Sequence, residues 1–319
     1  MNQEQDFESK VVDKYNRKSG VGLMTSSEKV YQAFAILIVG LLCLACIIPI
    51  YYVLVISFSS KTDLAVNNGF VLFPLNFQLY AYQMFFRTAT IFSTFRVSIL
   101  RVIVAVSLQL SICSIAAYSL SQPTLPGRKV FITILIVSLL VGPSMIPAYL
   151  WALQNGTANT FWIYVLPQAY SAFGIILFRQ FFMDIPASLV ESARIDGISE
   201  SKLMLYIVLP LSKPIFATIA LFCAVGNWND YVTNMIYVRD QELMTIAFYL
   251  QQTLVGVIDF SSGSAYSGTS DMFSNVANAA PNESYKMAAV VISTTPIILV
   301  YPFLQKYFAT GMLSGAIKG

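Results

Sequence analysis

The charged side chains whose spacing could do chemistry crowd into residues 184–214. Glu191, Arg194, Asp196 and Glu200 share one short run there. Asp184 can cap a first short helix, with Pro186 in its first turn. Gly197 suits a helix stop, and Ser199 can cap a second helix. Leu209-Pro-Leu-Ser-Lys-Pro214 then turns the chain back. Such a loop presents a charged face either to water or to a protein partner. A second group, Asn227, Trp228, Asn229, Asp230 and Tyr231, combines aromatic rings with amides and a carboxylate. Those types can grip a sugar, which offers apolar ring faces and many hydroxyls. They can equally form an interfacial aromatic belt with polar caps.

Other chemistries have little to work with. The chain has no histidine, and Cys43, Cys46, Cys113 and Cys223 all sit in apolar runs. They read as small apolar side chains rather than disulfides or metal ligands. Acid–base catalysis and metal chemistry therefore find no cluster of suitable groups, so no catalytic residue and no metal is assigned. There is no Gly-x-x-x-x-Gly-Lys-Ser/Thr loop to cradle a nucleotide. An ion-coupled secondary transporter is the alternative, but such proteins place carboxylates inside their spans as relays. Here Asp230 stands at the end of an apolar run. Uptake that depends on an ion gradient would mark that class. A channel would pass solute without ATP. A net charge of +3 gives no reason to expect nucleic acid as a partner.

The elements that must position these residues are membrane helices. Hydrophobic residues make up 56% of the 319 positions and charged ones only 11%, against about 25% charged in soluble domains. Mean hydropathy is +0.67. No charge occurs in residues 31–60, 102–127, 130–178 or 214–229, and a spanning helix needs about 20 apolar residues. Six spans are expected, at about 30–58, 98–120, 131–153, 160–182, 211–228 and 286–307. The polar turn 154–159 separates the third and fourth. Pro49, Pro143, Pro147, Pro167, Pro296 and Pro302 fall in or near spans and imply kinks.

Loop charge sets orientation. Thirteen of the nineteen Lys and Arg residues fall on the side shared by residues 1–29, the 121–130 loop, the stretch from Arg179 through the 183–213 loop, and the tail from Lys306. Both termini are then cytoplasmic, and residues 59–94 and 237–285 lie outside. Arg96 and Arg101 are expected at the outer end of the second span, snorkelling to the interface. The first span follows about 30 polar residues and is expected to stay as an anchor.

Glu191-Ser-Ala-Arg-Ile-Asp-Gly197, followed by Leu209-Pro210, resembles the EAA loop of binding-protein-dependent ABC importer permeases, with Ser192 where the family usually has alanine. Several other stretches are similar to that family. They are Ser111-Ile-Cys-Ser-Ile-Ala-Ala-Tyr-Ser-Leu-Ser121 with Leu125-Pro-Gly-Arg128, the run from Phe173-Gly174 to Arg179-Gln-Phe-Phe182, and Trp228-Asn-Asp-Tyr231. The tail Tyr307-Phe-Ala-Thr-Gly-Met-Leu-Ser-Gly-Ala-Ile-Lys-Gly319 resembles that of the maltose-type sugar branch. The long N-terminal segment is closest in style to permeases for complex oligosaccharides of the aldouronate type.

The resemblance implies an all-α polytopic fold: six transmembrane helices (30–310), a cytoplasmic coupling loop (183–213), and cytoplasmic segments at 1–29 and 311–319. It implies a bacterial cytoplasmic (inner) membrane protein that is not itself an enzyme. Glu191, Ser192, Ala193, Asp196 and Gly197 are expected to meet a separate ATPase subunit. Leu209 and Pro210 are expected to set the angle at which the chain returns to the membrane. The implied partners are a second permease chain, two ATPase subunits carrying ATP and Mg, an external solute-binding protein, and membrane lipid. In the maltose-type system the sister chain supplies most substrate contacts.

Overall fold

The computed structural model describes residues 26–60, 63–64, 71–74, 76–142, 144–255 and 282–316. Residues 1–25 of the expected N-terminal segment, Pro143, the Gly/Ser-rich stretch 261–268 and the last residues of the tail lie outside them. The chain divides into two units, Met1–Val53 and Leu54–Gly319, with the boundary inside the first helix.

That helix, α1 (Ser26–Ser57), reaches a mean hydropathy of 3.0. It contains Pro49. In the second unit, α2 (Tyr80–Arg87) leads almost directly into α3 (Ala89–Ser121). At 33 residues α3 is about 50 Å long, well over the roughly 30 Å of a bilayer core. The last helix, α14 (Asn282–Ala316), supplies a third apolar span over Glu283–Pro302. Between α3 and α14 the helices are broken. They are α4 (Arg128–Leu140), α5 (Met145–Gln154), α6 (Trp162–Val165), α7 (Ala172–Met183), α8 (Ala187–Ile195), α9 (Glu200–Leu203), α10 (Leu209–Leu211), α11 (Lys213–Asn229), α12 (Val232–Tyr237) and α13 (Ile246–Val255). Three helices can cross a membrane alone, and bent pairs raise the number to six. All described elements are helical.

Three sequence expectations need correction. The second span starts at Ala89 rather than Ser98. The third and fourth are not continuous: α4 and α5 separate before Ser144, and a turn at 166–171 interrupts α6 and α7 around Pro167. Proline there cannot donate to an upstream carbonyl. Asp184 does not cap α8: it closes α7, its N–H bonding to Gln180 and Phe181 carbonyls, and Pro186 holds the α8 N-cap position.

The core lies along α3, which packs on α7 and α11, while α11 packs on α14. Towards the α8 end, Cys113, Ala117 and Tyr118 meet Ile175, Phe178 and Phe182 of α7. Ser171 caps α7 by accepting from the Gly174 N–H at 3.0 Å. Gly174 leaves room for that cap, because a Cβ there would sit 3.3 Å from Ser171 Oγ, while 3.8 Å to Ile219 of α11 is ordinary contact. At the other end of α3, Phe85, Ile91, Trp228, Ile246 and Tyr249 form a second cluster with Tyr285 and Ala289 of α14.

Candidate functional site

The 184–214 loop is built as the sequence suggests around Gly197. Residue Gly197 has φ +76°, the left-handed region glycine enters freely. Its N–H bonds to the Arg194 carbonyl at 3.0 Å, and the Ile198 N–H reaches back to Ala193 at 3.2 Å. This paired closure is the Schellman stop, which reverses the chain while satisfying the last carbonyls of α8. A π-helical segment, Met204–Val208, joins α9 to α10, and the direction changes by 80° at Ser212 before α11. Leu209 and Pro210 lie just ahead of that bend.

The loop is anchored on one side and open on the other. Ala193, Leu203 and Val208 are buried in the same cluster as Tyr118 and Phe178. Glu191, Ser192 and Asp196 are exposed, and a Cβ on Gly197 would meet nothing within 4 Å. Beside them Ile195 is 86% exposed, and further on Tyr206 is 75% exposed. A face that combines carboxylates with large apolar side chains is what a protein partner buries.

Polar bonds tie the loop to the end of α3. Tyr118 donates to Glu200 Oε2 at 2.5 Å, and Arg194 Nε donates to Glu200 Oε1 at 2.9 Å. The other arm of Arg194 reaches Gln122 Oε1 at 2.7 Å. The Tyr118 hydroxyl first, then Arg194, holds the Glu200 carboxyl below its ordinary value of 4.5. The Glu200 carboxylate in turn raises the Arg194 guanidinium. Because the folded value is depressed, this linkage is complete above about pH 4.5 and is lost as pH falls through the lowered value. Any loop-dependent activity is therefore expected to keep its dependence on Glu200 unchanged between pH 6 and 8. A comparison of wild type with Glu200→Gln across that range checks this; a ratio that changes with pH would contradict it.

The second candidate group is rearranged by an unforeseen partner. Arg101 does not snorkel: its side chain is fully buried, 12 residues or about 18 Å into α3. It forms an ion pair with the Asp230 carboxylate. It also donates to the Asp230 carbonyl at 3.0 Å and to Asn227 Oδ1 at 3.2 Å. The guanidinium lies 4.7 Å from the ring centre of Tyr164, a cation–π contact, and the Tyr164 hydroxyl donates to the Leu243 carbonyl. Asp230 is satisfied further by the Thr233 N–H and hydroxyl. Arg96 is exposed.

Asn227 and Trp228 are thus built into the fold. Trp228 is buried and its indole N–H donates to the Ser293 carbonyl of α14 at 3.0 Å, so its ring offers no face to a solute. Asn229 and Tyr231 are exposed. Sequence reasoning missed Tyr118, Gln122, Arg101 and Tyr164. Arg101 alone carried a signal, as a charge flanked by apolar residues.

Comparison with known proteins adds the following. Residues 19–314 match the family model described as "Binding-protein-dependent transport system inner membrane component". The chain is 38% identical to Protein LplC of Bacillus subtilis over 92% of its length and 97% of the relative. It is 37% identical to the polygalacturonan/rhamnogalacturonan transport system permease protein YtcP of the same organism, over 90% and 99%. A chain from the crystal structure of a bacterial ABC transporter involved in import of the acidic polysaccharide alginate superposes with a TM-score of 0.80. It is 29% identical and covers 90% of this chain and 100% of that one.

Proposed function

This chain belongs to the family of binding-protein-dependent transport system inner membrane components, and we propose that it is one of two permease subunits of an ATP-driven importer of oligosaccharides. Names of relatives that handle polygalacturonan, raffinose-type sugars and arabino-oligosaccharides support a carbohydrate cargo. The partners are a second permease chain, two ATPase subunits that carry ATP and Mg, and a solute-binding protein outside. Both termini are cytoplasmic, on the side of the basic loops.

The observation that carries the reading is the loop anchored by Ala193 and Leu203, whose Glu191, Ile195 and Asp196 stay open to a partner. A loop that only turned the chain would not need a buried anchor and an uncovered apolar rim together. Docked in an ATPase subunit, α8 is pulled when two such subunits close on ATP. The pull reaches α3 through Glu200–Tyr118 and Arg194–Gln122, and reaches α11 through the bend at Ser212. The helices then move as packed bodies between inward-open and outward-open arrangements.

The test is to purify the complex with its ATPase, sister permease and binding protein and measure ATP hydrolysis against a panel of oligosaccharides. A sugar-loaded binding protein is expected to stimulate hydrolysis. Uptake by the chain alone on an ion gradient, with no ATPase co-purifying, would favour the secondary-transporter alternative. In the same assay Tyr118→Phe is expected to reduce the sugar-stimulated part of hydrolysis several-fold and leave the basal rate unchanged. It removes a charge-assisted bond worth on the order of 1–2 kcal/mol at a half-exposed carboxylate. Equal loss of basal and stimulated rates would instead mark Tyr118 as merely structural.

A further inference from the structure

Among the described residues, α3, α7 and α11 leave a cleft of about 190 Å³ beside the Arg101 site. Gln109, Gln168, Ser171, Phe173, Phe222 and Asn227 line it. No charged residue does. Gln109 is only 9% exposed, and its amide hydrogen-bonds to no other described residue. Its amide is not among the enclosed polar atoms that lack a partner, so it opens to the cleft. Gln168 brings a second amide to the cleft from the turn before α7. Phe173 and Phe222 each keep about half of their surface exposed, at 53% and 50%.

We propose that this cleft is a solute half-site, in which the amides of Gln109 and Gln168 and the rings of Phe173 and Phe222 hold one neutral sugar ring. The proposal rests on the importer reading above and adds that this chain touches the cargo itself. A primary amide both donates and accepts, which matches neighbouring hydroxyls on a sugar. Phenyl rings take the apolar C–H face of the ring. The uncharged lining selects hydroxyls over a carboxylate, since an ion would enter without a partner. Closed small-molecule sites measure about 300–1,000 Å³, so a cleft of this volume is incomplete. The second permease chain supplies the facing wall. Ser171, Gly174, Cys223 and Gly226 also line it, as small residues do where helices pack, but a packing surface would not need a concavity flanked by two exposed rings. Asn227 links the cleft to the ionic site, because its Oδ1 accepts from Arg101.

The experiment uses the whole complex in proteoliposomes, with ATP inside and binding protein outside, and radiolabelled raffinose, arabinotriose and trigalacturonate as probes. Gln109→Leu and Gln168→Leu are compared with wild type. For a neutral probe that wild type imports, each variant is expected to lower uptake at sub-saturating sugar about tenfold. Sister-permease recovery should be retained. Gln168 is exposed, so its variant tests the idea even where Gln109→Leu fails to assemble. Unchanged uptake in Gln168→Leu overturns the half-site. So does loss of the sister permease from Gln109→Leu with normal uptake in Gln168→Leu, which would make the Gln109 amide an interhelical bond. Import of trigalacturonate alone, equally impaired by both variants, overturns the preference for a neutral ring. A wild-type complex that imports no probe with ATP fails the importer reading itself.

Discussion

Arg101→Met is expected to remove most of the folded chain from detergent extracts of the membrane. The substitution preserves length and apolar bulk, so what it deletes is the charge. Asp230 would then keep Thr233 but lose the ion pair and its neutralising guanidinium. Removing one partner of a buried pair costs about 3–5 kcal/mol, a large part of the stability of a domain. Tyr164 and Asn227 would lose their partner at the same point. Asp230→Asn should be nearly as damaging, because it strands a fully buried guanidinium. The double variant Arg101→Met, Asp230→Asn is expected to recover much of the loss, since the remaining amide can still bond Thr233. Monodisperse yield and thermal unfolding of the purified complex give the readout. If Arg101 snorkelled instead, both single variants would behave like wild type.

The same residue explains where sequence reading succeeded and failed. Backbone groups in a bilayer must be satisfied within a helix, so long uncharged runs such as 31–60 report spans directly. That rule treats a charge as a boundary, and stopping at Arg96 placed the start of α3 nine residues late. The companion rule, that a charge near a span end reaches for the interface, holds only while the charge has no partner. Arg101 has one 129 positions away at Asp230, and no local pattern contains that distance. Trp228 fails for a related reason. An aromatic at the end of a span is ordinarily interfacial, and only the arrival of α14, with the Ser293 carbonyl, buries it. The turn at Gly197 was legible because its cause is local: a glycine after the last helical turn closes a Schellman motif whatever surrounds it. The Tyr118–Glu200 bond joins residues 82 apart and could not be seen.

Locality also makes Gly197 the most discriminating position in the loop. Gly197→Val is expected to abolish stimulation of ATP hydrolysis by sugar-loaded binding protein, while the complex still assembles. Nothing within 4 Å opposes a Cβ there, so within this chain the penalty is purely conformational. A left-handed backbone costs an ordinary residue about 1–2 kcal/mol, and a β-branched one more. The loop would relieve that strain by unwinding the end of α8, which moves Ile195 and Asp196 away from the presented face while Ala193 remains anchored. Asparagine tolerates the left-handed region, so Gly197→Asn should keep much of the stimulation if the backbone is what counts. If Asn fails as completely as Val, the missing side chain itself is required, because the ATPase then presses against the glycine. Full stimulation in the valine variant would remove the loop from the coupling path.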